Sequence, residues 1–194
     1  MKTVVEEILN YMPFNEEEDR DKMVILDYLS KNEDAFYREN KVSHMTASGW
    51  IVNKEKTKVL MAYHNIYHSW SWLGGHADGN EDLLSVAMKE AKEESGVEHI
   101  RPLLDSIFSL EILSVDGHYK NGEYVPTHTH MNVTYLLEAD ENDPVFIKQD
   151  ENSAVGWFTL DEAVAASSEP WMKEHVYSKL NAKLRKMQNT KEEK

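Results

Sequence analysis

Hydrophobic residues recur at helical spacing at both ends of the chain and at strand-like spacing between them. In residues 1–41, Thr3 and Asn15 precede acidic first turns, as helix-capping residues do, and an apolar repeat at helical spacing begins at Met23. Residues 171–194 show an amphipathic helical pattern that runs into a frayed, charged tail. The pattern therefore predicts two helices before the central region and one helix after it.

The central region, residues 42–170, has the shorter period of β-strands. Residues 44–53 and 58–65 are rich in β-branched and aromatic side chains and flank a short polar stretch, which predicts a hairpin. Residues 116–129 contain Gly and Asn and indicate a loop. Further strands are predicted at residues 106–115, 130–139 and 154–160. Because a helical pattern at residues 81–95 interrupts these strands, the pattern predicts a mixed α/β or an α+β layer architecture, with that helix packed on a sheet.

Composition narrows the classes of protein to which the chain can belong. The 194 residues carry a formal net charge of −14, from 21 basic and 35 acidic side chains, which argues against binding to a nucleic-acid backbone. There are no cysteines, which excludes disulfides and cysteine nucleophiles and is compatible with a reducing, cytoplasmic location. The sequence shows no targeting segment and no apolar run of about 18 residues, so we expect no membrane association.

The predicted helix at residues 81–95 carries a cluster of carboxylates near its C-terminal end. At about 100° per residue, Glu90, Glu93 and Glu94 fall within one arc of this helix. The neighbouring apolar arc, expected to face the sheet, consists of Leu84, Ala87, Met88 and Ala91. Like charges one turn apart destabilise a helix, and a divalent cation bound between them would remove that cost. The alternative is a solvated helix face, since runs of charge usually lie on the surface.

The spacing around this cluster resembles the signature of the Nudix hydrolase family, G-x5-E-x7-R-E-U-x-E-E-x-G-U, in which U is a bulky apolar residue. The matching positions are Gly75, Glu81, Glu90, Glu93, Glu94, Gly96 and Val97. Two positions depart from the signature, because Lys89 replaces the arginine and Ala91 is smaller than the usual apolar residue. Residues 70–75, with Leu73 in place of the common proline, and residues 151–162 also resemble the family.

The resemblance implies both a fold and a reaction. The fold would be a Nudix-type α/β/α sandwich with a mixed sheet at residues 42–170, and with helical extensions at residues 1–41 and 171–194. The reaction would be metal-dependent hydrolysis of the pyrophosphate bond in a nucleoside diphosphate linked to another group. The partner would be that small nucleotide, and the extensions would cap the cleft or form a homodimer. The resemblance does not identify the nucleotide.

The resemblance also assigns roles to the carboxylates. The ligands of Mg²⁺ or Mn²⁺ would be Glu90, Glu93 and Glu94, with Glu81 as an auxiliary ligand or a partner of a ligand. The general base would be Glu90, Glu93 or a carboxylate outside the signature, and the sequence does not choose between them. Glu151 is a further candidate acid or base, because many family members have an acidic residue in the loop before the closing strand; the neighbouring Asp150 is the alternative.

Three further positions in the signature have expected roles that differ from metal binding. Lys89 keeps the charge of the family's catalytic arginine but lacks its planar guanidinium, so we expect it to hold the carboxylates more loosely. Gly75 is expected in the loop that enters the helix. Gly96 is expected as a left-handed cap at the end of the helix.

Histidines and tryptophans near the signature are candidates for contacts with the substrate. Trp72 and His76 flank Gly75, while His128 and His130 precede a predicted strand at a spacing that places both on one face. Imidazoles here could bind phosphate, stack on a base or add a metal ligand, and an indole could stack on a base. The alternative for each is a structural or surface role.

Two other functions compete with hydrolysis. One is a Nudix-like domain that binds a nucleotide metabolite without catalysis and regulates a partner; the retained carboxylates argue against it, and Lys89 and the N-terminal extension argue weakly for it. The other is an enzyme like isopentenyl-diphosphate isomerase, which has a related fold and a metal site rich in His and Glu. That enzyme requires a catalytic cysteine, and this chain has none.

Overall fold

Helices occupy both ends of the chain in the computed structural model, which describes residues 3–120 and 122–192. The helices are α1 (Val4–Asn10), α2 (Glu16–Lys31), α3 (Leu83–Ser95), α4 (Leu160–Ala166) and α5 (Ser178–Glu192), the last preceded by a π-helical segment, Met172–Tyr177. The first two begin at the predicted caps, because Thr3 accepts a hydrogen bond from the backbone of Glu6 and Asn15 accepts one from the backbone of Glu18.

The strands form one main sheet and a separate hairpin. The strands are β1 (Ser43–Val52), β2 (Lys58–His64), β3 (Ser69–Ser71), β4 (Leu73–His76), β5 (Ile100–Pro102), β6 (Ser109–Val115), β7 (His118–Lys120), β8 (Glu123–Val125), β9 (His128–Ala139) and β10 (Asn152–Thr159). The order in the main sheet is β10-β2-β1-β9-β5, with β3 paired to β2, β4 to β1 and β6 to β9. The predicted β1–β2 hairpin is confirmed, with Val52 opposite Val59. The mixed α/β fold with helices at both ends is confirmed as well.

The chain divides into two compact units, and β1, β9 and α3 each contribute residues to both. The first unit comprises the chain up to Gly49 together with Gly74–Glu90 and Pro102–Leu136. Its β1 and β9 are joined by side chains as well as backbone, because Thr46 and Ser48 each donate a hydrogen bond of 2.9 Å to the buried Asn132 Oδ1. Polar pairing within a buried sheet face holds these two strands in one register.

In the first unit, α2 is attached to β6 by buried polar contacts. Glu18, which is 0% exposed, accepts a hydrogen bond of 2.6 Å from Ser109 Oγ. One turn later, Asp21 Oδ2 accepts a hydrogen bond of 3.0 Å from the backbone of Ile112. A helix that satisfies donors of an adjacent strand in this way is part of the packed unit rather than a loose extension.

The second unit comprises Trp50–Leu73, Ala91–Arg101 and the chain from Leu137 onward. Within it, β2 pairs antiparallel with both β10 and β3. Helix α4 follows β10 directly, and Thr159 and Glu162 form a reciprocal capping pair at its start. The predicted closing strand and following helix are therefore present.

The structure differs from the sequence prediction at residues 116–129, in the C-terminal tail and on α2. The predicted loop at residues 116–129 contains the β7–β8 hairpin, and residues 188–192 of the predicted frayed tail continue α5. On α2, Met23 is 62% exposed and Ile25 is the buried apolar residue, because the packed face follows Glu18. Residues 1–2 of the predicted extension, residue 121 of the predicted loop and residues 193–194 of the tail lie outside the described residues. The domain boundaries at residues 41 and 170 stay predictions.

Candidate active site

Helix α3 carries three of the four carboxylates of the signature, and these three differ in exposure. Glu94 is 7% exposed, Glu90 is half-buried and Glu93 is exposed. Glu90 and Glu94 lie one turn apart on a continuous helix and therefore share a face. Carboxylate oxygens are the ligands that hard divalent ions prefer.

The buried row of α3 differs in part from the predicted one. Ala87 and Ala91 are buried as expected, but Leu83 is buried in place of Leu84. The row therefore runs through residues 83, 87, 91 and 94, at steps of four and three, and it ends on a carboxylate. Met88, also predicted to face the sheet, is half-exposed. Because Glu94 lies in line with this row, it is the signature carboxylate closest to the core.

Glu81 lies outside the helix, contrary to the prediction that it opens it. Helix α3 begins at Leu83, and Asp82 Oδ1 accepts a hydrogen bond of 3.1 Å from the backbone of Ser85, as an N-cap residue does. Glu81 is exposed in the preceding turn. Its auxiliary role at the metal remains a prediction.

Gly75 provides space for a carboxylate. It lies on β4 rather than in the predicted loop, and a Cβ atom added to it would stand 2.6 Å from Glu90 Cδ and 2.8 Å from Glu90 Oε2. Real Cβ atoms essentially never approach a carbon so closely, so a side chain at this position would displace Glu90. Glycine at this position therefore allows Glu90 to keep its observed place beside β4.

Lys89 is an ion-pair partner of one signature carboxylate. Its Nζ lies 3.3 Å from Glu90 Oε1, and its side chain is 64% exposed. The contact with Glu90 has the loose geometry expected of an ammonium group, whereas a guanidinium could form two parallel hydrogen bonds. The predicted role in holding Glu90 is compatible with this contact and remains a prediction.

In the second unit, Glu151 lies beside Glu94. Oxygens of the two carboxylates are within 4.8 Å of each other. Asn152, the first residue of β10, donates a hydrogen bond of 2.9 Å to the backbone oxygen of Glu94, which fixes the end of α3 against β10. Lys148 Nζ lies 3.0 Å from Glu151 and 3.6 Å from Glu93. Glu151 is thus brought to the carboxylate cluster, while Asp150 is exposed.

The end of α3 has the predicted left-handed glycine. Gly96 has φ +73°, and its backbone N–H donates a hydrogen bond of 2.8 Å to Lys92 O. Phe146 N donates to Ser95 O at 2.7 Å, and a Cβ on Gly96 would meet the Phe146 ring at 2.7 Å. The glycine is therefore required both by conformation and by space.

The histidines form a cluster in the first unit that includes one residue the sequence prediction missed. His76, His128 and His130 are joined by His44, whose ring centroid lies within 5.1 Å of each of theirs. His44 is on β1, and its spacing from the other three gives no signal in the sequence. Only strand pairing brings the four rings together.

Trp72 packs against the C-terminal part of the second unit. Its ring meets that of Tyr177 edge-on at 5.8 Å, and it is half-buried. Trp70 packs in the same manner on Phe158 at 4.7 Å. Each ring therefore has a structural contact, and a substrate-binding role for Trp72 remains a prediction.

Comparison with known protein families identifies the family to which this chain belongs. The profile of the NUDIX domain matches residues 42–180 of the chain. The chain belongs to the NUDIX family. The match includes α3 with its carboxylates, Glu151 and β10, and it leaves α1 and α2 of this NUDIX protein outside.

Several relatives of this NUDIX chain are known. The bis(5'-nucleosyl)-tetraphosphatase (asymmetrical) of Rattus norvegicus is 29% identical over 106 residues, which are 54% of this chain and 65% of the rat protein. The chain thus spans slightly less than two thirds of that relative. An Ap4A hydrolase from C. elegans has a TM-score of 0.54 at 20% identity, covering 75% of this chain and 98% of that one. A NUDIX-family hydrolase from Clostridium perfringens has a TM-score of 0.51 at 21% identity, covering 74% and 97%. At these identities the structural likeness shows the fold alone.

Across residues 3–120 and 122–192, no helix combines the length and the apolar character needed to cross a membrane.

Proposed function

We propose that this NUDIX protein is a metal-dependent hydrolase that cleaves the pyrophosphate linkage of a dinucleoside polyphosphate or a related nucleoside diphosphate derivative. The observation that carries the proposal is the set of carboxylates on and beside α3: Glu90 and Glu94 share a face, and Glu151 lies within 4.8 Å of Glu94. The rat relative is named a bis(5'-nucleosyl)-tetraphosphatase, which supports a dinucleoside polyphosphate as the substrate. A cytoplasmic location and a homodimer stay predictions from the sequence.

The donor atoms suit a hard divalent cation such as Mg²⁺ or Mn²⁺, because every side chain in the set offers a carboxylate oxygen. Glu90, Glu93 and Glu94 would hold the cation, and Glu151 would complete the set. When bound, such a cation lowers the pKa of a coordinated water and neutralises phosphate oxygens. Glu81, which precedes the start of α3, would be an auxiliary ligand or a partner of a ligand.

The protein's own groups would orient the reaction. Glu151 would accept a proton from an attacking water, and Lys148 Nζ, 3.0 Å away, would orient its carboxylate. The hydrogen bond from Asn152 to the backbone of Glu94 holds the end of α3, so that the carboxylates need little rearrangement before reaction. Lys89 would hold Glu90 in position through their ion pair.

A substrate panel tests the proposed function. The protein would be assayed with Mg²⁺ or Mn²⁺ against diadenosine polyphosphates, nucleotide sugars and nucleoside triphosphates, with products separated by chromatography. We expect the highest kcat/KM on a diadenosine polyphosphate and complete loss of turnover with excess chelator. A preference for triphosphates or nucleotide sugars would overturn the substrate assignment. No turnover on any compound would overturn hydrolysis and favour the non-catalytic binding domain.

Gly75→Ala is expected to lower kcat/KM by about 10- to 100-fold, because an added Cβ displaces Glu90 and small misplacements of reacting groups cost rates of this order. The fold should persist, since the clash is with a side chain. Steady-state kinetics and thermal melts on the same preparation measure the two effects. Gly156→Ala on β10 is the matched control, because its nearest neighbour would be 3.8 Å from the new Cβ. Equal losses in both variants would contradict the close-approach argument.

The effect of replacing Lys89 on turnover is expected to depend on the new residue. Lys89→Met should lower kcat/KM by about 2- to 5-fold, since an exposed ion pair of this kind contributes at most about 1 kcal/mol. Lys89→Arg should raise it, because a guanidinium can hold Glu90 through two hydrogen bonds. Lys92→Met, an exposed lysine on the same helix, controls for loss of positive charge. If Lys89→Arg were slower than the parent protein, the positioning role would be rejected.

A further inference from the structure

Four histidines from three strands converge in the first unit, separately from the carboxylates of α3. His44 comes from β1, His76 from the end of β4, and His128 and His130 from the start of β9. Neighbouring ring centroids are 4.9 to 5.1 Å apart. Imidazole nitrogens grouped in this way are potential ligands for a metal ion.

Three of these rings have nitrogen atoms arranged as metal ligands. Ring nitrogens of His44, His76 and His130 all lie within 4.8 Å of one another. In a tetrahedral site with metal–nitrogen bonds of about 2.0–2.1 Å, ligand nitrogens stand about 3.3 Å apart. The three nitrogens are therefore close to the separation that three ligands of one ion have.

His44 has the hydrogen bonding of a ligand held ready for a metal. Its Nδ1 lies 2.9 Å from the backbone oxygen of Asn40, and because a carbonyl only accepts, Nδ1 carries the proton. Its Nε2 is buried and has no hydrogen-bond partner in the described part of the chain. Ligating histidines regularly donate one ring N–H to a backbone carbonyl and bind metal with the other nitrogen. A bound ion would satisfy this buried acceptor.

His128 supports His130 in the same cluster. Its Nδ1 lies 2.9 Å from Pro126 O and so donates to it, which leaves Nε2 as an acceptor. That Nε2 stands 3.1 Å from His130 Nε2. Because His128 Nε2 accepts, His130 Nε2 donates this hydrogen bond, which orients the His130 ring and leaves Nδ1 as its unprotonated nitrogen.

The cluster favours a cation over an anion. His44 Nδ1 and His128 Nδ1 each donate to a backbone oxygen, so in the neutral ring of each residue Nε2 carries a lone pair. Neutral imidazoles attract phosphate weakly, but neutral imidazole is the form that binds a metal.

We propose that His44, His76 and His130 bind one divalent transition-metal ion, of the type that prefers nitrogen ligands, such as Zn²⁺. Imidazole suits Zn²⁺ and similar ions, whereas Mg²⁺ prefers oxygen, so this site and the carboxylates of α3 would take different metals. Three protein ligands leave a fourth position for water or a substrate atom. This inference does not depend on the proposed hydrolysis.

Titration of the full chain with Co²⁺ in a large excess of Mg²⁺ tests the site. The excess Mg²⁺ occupies the sites that are formed by carboxylate oxygens, which leaves the imidazole nitrogens for Co²⁺. Visible d–d absorption then reports Co²⁺ that is bound to nitrogen. We expect one equivalent of Co²⁺ per chain, displaced by Zn²⁺. Each of His44→Gln, His76→Gln and His130→Gln should weaken Co²⁺ binding by at least 10-fold. His99→Gln, a histidine with a side chain that is 80% exposed, should leave it unchanged.

The outcomes separate the two proposals. Glu94→Gln should keep the Co²⁺ absorption whether or not the protein hydrolyses nucleotides, and failure of hydrolysis in the parent protein leaves the histidine site standing. Circular dichroism verifies folding, and His76→Gln, half-buried at a strand end, is the variant least disturbing to the core. Absence of Co²⁺ absorption in the parent protein would overturn the proposal. So would unchanged binding in folded His76→Gln.

Discussion

Glu94→Gln is expected to lower kcat by about 10³-fold while the protein stays folded. Glu94 is 7% exposed, it lies within 4.8 Å of Glu151, and Asn152 holds its backbone. The amide keeps the shape of the side chain but removes the charge that a divalent cation needs, and loss of several kcal/mol of metal-derived stabilisation corresponds to a factor of this size. Single-turnover kinetics at saturating Mg²⁺ measure the loss.

The matched control for this prediction is Glu98→Gln. Glu98 is an exposed carboxylate shortly after the end of α3, so its replacement removes the same charge without touching the cluster. We expect its kcat to remain within about 2-fold of the parent value. If Glu94→Gln retained more than a tenth of the parent activity, Glu94 would not be a metal ligand.

Glu18→Ala is expected to lower the free energy of unfolding by about 3 kcal/mol. The carboxylate is 0% exposed and accepts hydrogen bonds from Tyr11 Oη, Phe14 N and Ser109 Oγ at 2.5, 2.7 and 2.6 Å. Truncation leaves buried donors without an acceptor, and each such donor costs about 1–3 kcal/mol. Chemical denaturation followed by tryptophan fluorescence measures the change.

Glu16→Ala is the control for the stability prediction. Glu16 lies on the same helix, and its side chain is 83% exposed in an ion pair with Arg20. Removing a surface pair near a helix N-terminus costs up to about 1 kcal/mol. Equal midpoints for the two variants would show that the buried contacts of Glu18 contribute little to stability.

The carboxylate cluster could be predicted from the sequence because its geometry is local. Glu90 and Glu94 lie on one helix, so the helical repeat alone places them on one face. Glu151 was a candidate only through the family resemblance, and its position beside Glu94 depends on β10 starting at Asn152. The start of α3 was misplaced by two residues because Asp82, rather than an earlier residue, satisfies the first free backbone N–H groups.

The place of His44 in the histidine cluster and the Glu18 network could not be predicted, because both depend on contacts between distant parts of the chain. His44 and His130 lie on different strands, and no local pattern gives their pairing. Glu18 stands in an acidic run that is typical of a solvated helix face, yet it is buried. A buried carboxylate differs from its exposed neighbours only through partners such as Ser109, 91 residues away.

The attachment of α2 to β6 has a consequence for the limits of the folding unit. The family match begins at residue 42, after both N-terminal helices. A shortened chain starting there would lose Glu18 and Asp21 and would expose Ser109 Oγ and the backbone N–H of Ile112 on β6. The region recognisable by homology is therefore smaller than the region that must be expressed together for β6 to be covered.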